Sequence, residues 1–252
     1  MNRFGVFALV AVLAALASPL FLSPLGLPEP RTARAPVGVE TSRPVVVELF
    51  TSQGCHSCPP ADALLGELKG RDDVLALSFH VDYWDYLGWR DPFASPAHTA
   101  RQKSYAKRLP RRIAYTPQIV IDGRFDAVGS DRRRVTRAID DAARLRMTID
   151  MAFDADTGQL AMAAASDMRK RATVWLVAYD REQSTSIRRG ENAGKRLTYH
   201  NVVRLYERIG RWDGDATSFA VDLDAAAGHD GLAVLVQENE TGPVIGAFHM
   251  AL

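Results

Sequence analysis

The chain has 252 residues, of which 47% are hydrophobic and 24% charged, so it is long enough for one large domain or two ordinary ones and can bury a real core. A formal net charge of +1 gives no bulk electrostatic reason to expect nucleic acid or an anionic membrane surface as a partner. No heptad run, low-complexity tract or internal repeat stands out.

Residues 1–27 open with a single charge, Arg3, followed by the uncharged run "FGVFALVAVLAALA" and the small-x-small triplet Ala15-Leu16-Ala17 that signal peptidases read. A second such triplet, Ala33-Arg34-Ala35, is followed by Pro36, which blocks cleavage. The apolar stretch also approaches the ~20 residues of a spanning helix, so an export signal and a retained membrane anchor both stay open. Either one puts the remaining chain in the periplasm or outside the cell, where disulfides persist. Residues 28–43, rich in Pro, Arg and Thr, read as a flexible linker.

From residue 44 the pattern is α/β. "PVVVELFTS" (44–52) has the continuous apolar character of a buried parallel strand. "ADALLGELKG" (61–70) is helical, with Gly70 as its stop, and "DVLALSFHVDY" (73–83) is a second strand. Together they make a right-handed βαβ unit. A polar insertion follows, with a helix capped by Ser95 and led by Pro96 that runs to about Leu109. "YTPQIVIDGRFDAVGS" reads as a hairpin turning at Asp122-Gly123. "DRRRVTRAIDDAARL" is an amphipathic helix whose apolar face comprises Val135, Ala138, Ile139, Ala142 and Leu145. Beyond residue 146 come seven short runs of strand length between Gly, Asp and Asn turns, which suggests an all-β sandwich. The expected organisation is therefore an α/β domain over 44–146 and a β-sandwich-like domain over 147–252. Lys103, Lys107, Arg108, Arg111, Arg112 and the run Arg132 to Arg134 read as solvated helix faces.

Both cysteines lie in "TSQGCHSCPPAD" (51–62), where the first strand meets the helix. A bridge closing so small a ring removes little entropy from the unfolded chain, so chemistry is the better explanation for the spacing. Backbone N–H groups and the dipole at the helix start would favour a thiolate on an exposed Cys55. Cys58, one turn further in, would resolve the mixed disulfide that Cys55 forms with a substrate. Protonated His56 would add positive charge beside that thiolate. Thr116-Pro117 has the form of an X-Pro peptide placed to shape a substrate groove. His80 and Asp82, at the end of the second strand, are candidate proton carriers for Cys58, although Asp82 and Asp85 equally suit turn capping, and Trp84 and Trp89 suit packing of the insertion. The polar stretch "RRGENAGKRLTYHN" (188–201) either folds over the cysteines or is an ordinary connection.

The motifs "LFTSQGCHSCPPAD", "HVDYWDYLGW", "YTPQIVIDG", "RGENAGKRLTYHNVVR" and "GRWDG" resemble a secreted bacterial thioredoxin-like family known mainly as domain of unknown function 1223. The resemblance covers about residues 43–252 and implies the thioredoxin-superfamily fold and a thiol–disulfide role. The implied partners are protein thiols or disulfides and a redox recycling partner. Cys55-His56-Ser57-Cys58 departs from the usual Trp-Cys-Gly-Pro-Cys arrangement, which puts a reductant role in question. No cofactor and no zinc site are expected, since His80, His98, His200, His229 and His249 show no matched pair beside the cysteines. A copper(I) carrier, an inert bridge and a partner-binding module on the same scaffold stay open as alternatives.

Overall fold

The structure is a computed structural model that describes residues 43–145, 149–166, 168 and 170–252, so the expected signal or anchor, the linker up to residue 42 and the boundary near 146 lie outside the described residues. The described residues fall in one compact unit. Among them no helix is long and apolar enough to cross a membrane.

β1 (Val45–Thr51), α1 (Pro59–Leu68) and β2 (Val74–His80) form the βαβ unit, with β1 and β2 paired in parallel from Val45↔Val74 to Thr51↔His80. Both strands are buried along their whole length, which is why they read as unbroken apolar runs. The helix ends just before Gly70, as expected, although the cap position itself falls on Lys69, in right-handed geometry. A short 3₁₀ turn (Asp85–Leu87) and α2 (Pro96–Ala106) make up the insertion, with the Ser95 hydroxyl accepting from the Ala97 N–H. β3 (Gln118–Ile121) and β4 (Phe125–Val128) form the expected hairpin, and its turn carries positive φ at both Asp122 (49°) and Gly123 (61°). α3 (Arg132–Arg144) buries Val135, Ile139 and Ala142, whereas Leu145, expected on the same face, falls past the last turn and is 51% exposed.

The second half does not build a separate sandwich. β5 (Met151–Asp154), β6 (Gln159–Met162) and β9 (Thr217–Ala220) form a small sheet, while β7 (Ala172–Ser186), β8 (Arg196–Trp212), β10 (Gly231–Glu238) and β11 (Val244–Ala251) join the strands of the first half. The result is one mixed, eight-stranded sheet in the order β11-β10-β7-β8-β2-β1-β3-β4. Alternate residues of β10 explain why. Ala233 and Leu235 pack into the core shared with Tyr105 and Leu109 of the α2 region, while Leu232, Val234 and Val236 pack against Leu160 and Met162 of the small sheet. A strand buried on both faces belongs inside a sheet, and sheet-on-sheet packing is confined to the layer that β5, β6 and β9 add. α1 and α3 cover a third core over β1 and β3.

β7 and β8 are far longer than their apolar runs. Beyond a bulge at Ala178/Tyr179 their polar halves stay paired through Ser186↔Arg196, making a two-stranded arm with a tip at residues 187–195. Positive φ at Gly190 (76°) and Gly194 (82°) allows that tip its tight return. β8 touches β2 in parallel through Ser78↔Val202.

Candidate functional site

Cys55 and Cys58 form a disulfide in the loop between β1 and α1. Cys55 is 0% exposed, contrary to the exposed nucleophile expected, and so is Cys58. The cover comes from two directions. At the arm tip, Asn192 donates through Nδ2 to the carbonyl oxygens of Gln53 and Cys55, both at 2.9 Å, and Glu191 Oε2 accepts the His56 N–H at 3.0 Å. On the other side Trp84 lies so close that a side chain on Gly54 would meet its Cβ at 3.0 Å. Of the two readings of segment 188–201, the fold over the cysteines is therefore the one found for its first part, while residues 196–201 are strand.

The loop is held from below as well. Gln53 donates its N–H to Asp91 Oδ2 (2.9 Å) and its side-chain amide to Thr185 Oγ1 (3.1 Å), and accepts from Trp89 Nε1 (2.8 Å). The Trp84 indole donates to Thr116 Oγ1 at 2.8 Å. Both tryptophans thus pack the insertion, as expected, but onto the cysteine loop and the Thr116-Pro117 peptide specifically. That peptide is cis. Pro117 is buried, and a side chain on Gly129 would touch both Ala61 of α1 (2.8 Å) and Pro117 (3.2 Å), which puts the proline near the start of α1.

The electrostatics expected at the helix start are altered in one respect. Cys58 is the N-cap and the first two helical positions are Pro59 and Pro60, which have no N–H to offer. The next N–H groups, of Ala61 and Asp62, already donate to the Cys58 carbonyl (2.8 and 3.1 Å). What remains for a Cys55 thiolate is the helix dipole and the Ser57 hydroxyl, whose oxygen lies 3.5 Å from Cys55 Sγ. Ser57 escaped notice in the sequence because serine between two cysteines is unremarkable. The His56 side chain is exposed.

His80 is fully buried, with Nδ1 at 2.7 Å from Asp91 Oδ2 and its ring edge-on to Tyr199 and Phe93 (centroids 4.7 and 5.3 Å). Its Nε2 has no hydrogen-bond partner. Asp82 does something else: Oδ1 accepts the Thr99 hydroxyl of α2 at 2.6 Å, so the side chain ties the insertion helix down, and the turn bond from the Asp85 N–H (3.1 Å) goes to its backbone carbonyl. The acid nearest to Cys58 in the helix is one that sequence reasoning missed. Asp62, one turn beyond Cys58, is 4% exposed and neither carboxylate oxygen makes a hydrogen bond. Burial pushes its pKa up to about 7, against the opposing pull of His80. The available signal was an acid on the helix face that otherwise carries Ala61, Leu65 and Leu68.

The description "Protein of unknown function (DUF1223)" matches residues 46–237, and that match spans both halves of the sheet. The chain belongs to this family. No curated protein matches this chain significantly. Among solved structures, the Agrobacterium tumefaciens protein AGR_C_4864, a structural-genomics target, is 34% identical, with a TM-score of 0.69 over 82% of this chain and 93% of its own. HBP35 of Porphyromonas gingivalis is 13% identical with a TM-score of 0.49, over 83% of this chain and 75% of its own, which is too remote to carry an argument. For a DUF1223 protein, then, the chemistry has to be argued from the site itself.

Proposed function

We propose that this DUF1223 protein is an exported thiol–disulfide oxidoreductase on a thioredoxin-like framework, acting on protein or small-molecule thiols. Support for the framework comes from the order β1-α1-β2, insertion, cis-Pro117, β3-β4 hairpin and α3, with the cysteine pair at the start of α1. The observation that carries the chemistry is Asp62, a buried carboxyl with a pKa near neutrality and no hydrogen bond, one turn from Cys58. A bridge with only a structural task gains nothing from an unpaired buried acid, which costs ~1–3 kcal/mol.

In the oxidising direction a substrate thiolate attacks Cys55 Sγ, and the electrons of the breaking S–S bond leave on Cys58 Sγ. Asp62 supplies the proton that Cys58 takes up. A second substrate thiolate then attacks the substrate sulfur of the mixed disulfide and releases Cys55 as a thiolate, which the Ser57 hydroxyl and the helix dipole stabilise. The substrate loses two electrons and two protons, and the reverse sequence reduces a substrate disulfide. Since Cys55 is covered, the arm tip must lift before the first attack. Export rests on the N-terminal residues 1–27, and cell fractionation tests it.

The burial of Cys55 favours one other reading, a permanent bridge that anchors the arm. Redox titration separates the two. A potential between roughly −120 and −270 mV, with mixed disulfides trapped on a Cys58→Ala variant, is the expected result. A potential below about −300 mV and an empty trap would leave only the structural bridge.

A further inference from the structure

β4 ends the large sheet, with no strand beyond it among the described residues. A groove of about 740 Å³ runs beside it, lined by Arg111, Arg124, Arg133, Arg134 and Arg137 among others. None of its lining residues belongs to the cysteine loop or to the arm. The arginines converge from the loop before β3, the hairpin turn and the first half of α3, and they flank the edge on both faces. Phe125 and Ala127 pack into the core under α3, so Asp126 points to the opposite face, where the Tyr115 hydroxyl (2.8 Å) and Arg111 (3.6 Å) meet it. Arg133 and Arg137, one turn apart on α3, therefore stand on one side of the edge and Arg111 on the other.

The acids of the groove are already engaged. Asp126 is held as described, Asp131 caps α3 by accepting the Arg134 N–H (3.1 Å), and Asp141 accepts from Arg144 (2.8 Å). Arg124, Arg133, Arg134 and Arg137 make no ion pair among the described residues, and Arg124 Nε is buried without a hydrogen-bond partner. The backbone is open too. Gly129 donates its N–H to the Pro117 carbonyl (2.9 Å), and the alternation of an antiparallel pair then turns the N–H groups of Asp126 and Val128 toward the free edge.

We propose that this edge docks an acidic, extended segment of a partner protein, which adds a strand to the sheet beside β4. Successive side chains of an added strand point to opposite faces, so acids on both faces meet arginines, whereas a compact anion reaches one set only. The chain's own linker is a poor occupant, since residues 28–43 carry Arg31, Arg34 and Arg43 against Glu29 and Glu40. A second copy of β4 would bring its own arginines and be repelled, which is how charged edges resist self-pairing. The site is independent of the redox pair and stands or falls separately.

The test uses the full chain and a fluorescent ten-residue peptide of alternating Glu, Val and Thr, read by anisotropy at about 50 and about 200 mM salt. Arg111→Glu and the pair Arg133→Glu/Arg137→Glu are each expected to weaken binding about tenfold or more, while Arg208→Glu on β8, outside the groove, leaves it unchanged. Alternate N-methylation of the peptide keeps its charge but deletes ladder donors, and is expected to abolish binding. Arg133→Gln/Arg137→Gln, with circular dichroism as the check on folding, gives the same direction should the Glu variants misfold. No binding, indifference to the arginines, or equal binding of the N-methylated peptide or of inorganic polyphosphate would overturn the proposal.

Discussion

The charged cluster around Arg101 and the one around Asp62 are buried in the same sheet, but only the first is closed. Glu48, in the middle of β1, accepts from Arg101 through both carboxylate oxygens and from the Tyr105 hydroxyl. Arg101 also donates to Tyr105 (2.9 Å), Gln237 (3.1 Å) and Tyr206, and lies over the rings of Phe79, Tyr105, Trp175 and Tyr206. Burial opposes the Arg101 charge, but Glu48 more than offsets it and raises the pKa above the ordinary arginine value. Around Asp62, by contrast, both carboxylate oxygens, Thr51 Oγ1, His80 Nε2 and the Tyr199 hydroxyl are buried without partners. A closed network joins β1, α2 and β10 across the two halves of the chain and serves the fold. An open one costs stability and, on the function proposed above, is kept because it holds a proton for Cys58.

The sharpest way to break the comparison is to open the closed cluster. Arg101→Ala leaves Glu48 with an uncompensated buried charge, and the expected loss is ~3–5 kcal/mol in urea unfolding. That is a large share of the ~5–15 kcal/mol a domain has. A loss within about 1 kcal/mol would mean that the ion pair is dispensable and that closure does not mark a structural role.

Closing the open cluster should act in the other direction. An acid whose folded pKa stands near 7 instead of 3.8 holds its proton more tightly when folded, so it stabilises at low pH and that contribution is lost as pH rises from about 4 to about 7. The full swing is on the order of 4 kcal/mol. Asp62→Asn should flatten stability across that window and be the more stable protein at pH 8, by a few kcal/mol at most. If Asp62 also serves Cys58, the same variant slows thiol exchange and removes its pH dependence near 7. Identical pH profiles of variant and parent would remove Asp62 from both arguments.

The contrast also explains what was legible in the sequence. β1, β2, β10 and the α3 face were readable because burial wrote them as apolar runs or helical stripes. The distal halves of β7 and β8 were not, since "REQSTS" is held by its partner strand and not by apolar burial, and no apolar run marks it as strand. The division near residue 146 was inferred from a change of texture, but parallel and antiparallel strands can share one sheet, and only the β2–β8 contact at Ser78↔Val202 reveals that they do. Within the site, cysteine spacing identified the pair and Thr116-Pro117 its neighbour. Asp62 was masked by lying in a good helical pattern, and the cover over Cys55 depends on Asn192, which is 137 residues away in sequence from the carbonyl it holds.

That cover supplies the smallest effect and the finest test. Asn192→Ala removes both donations to the carbonyls of Gln53 and Cys55. Those carbonyls would then find water once the tip lifts, so the stability loss should be only about 1–2 kcal/mol, at the low end for buried hydrogen bonds. The rate at which a small dithiol reduces the Cys55–Cys58 bridge should rise by about tenfold, because each 1.4 kcal/mol taken from closure multiplies the open population by that factor. A rate that stays the same while stability falls would show that reduction proceeds without lifting the tip. The arm would then belong with the closed cluster, as a part of the fold and not of the chemistry.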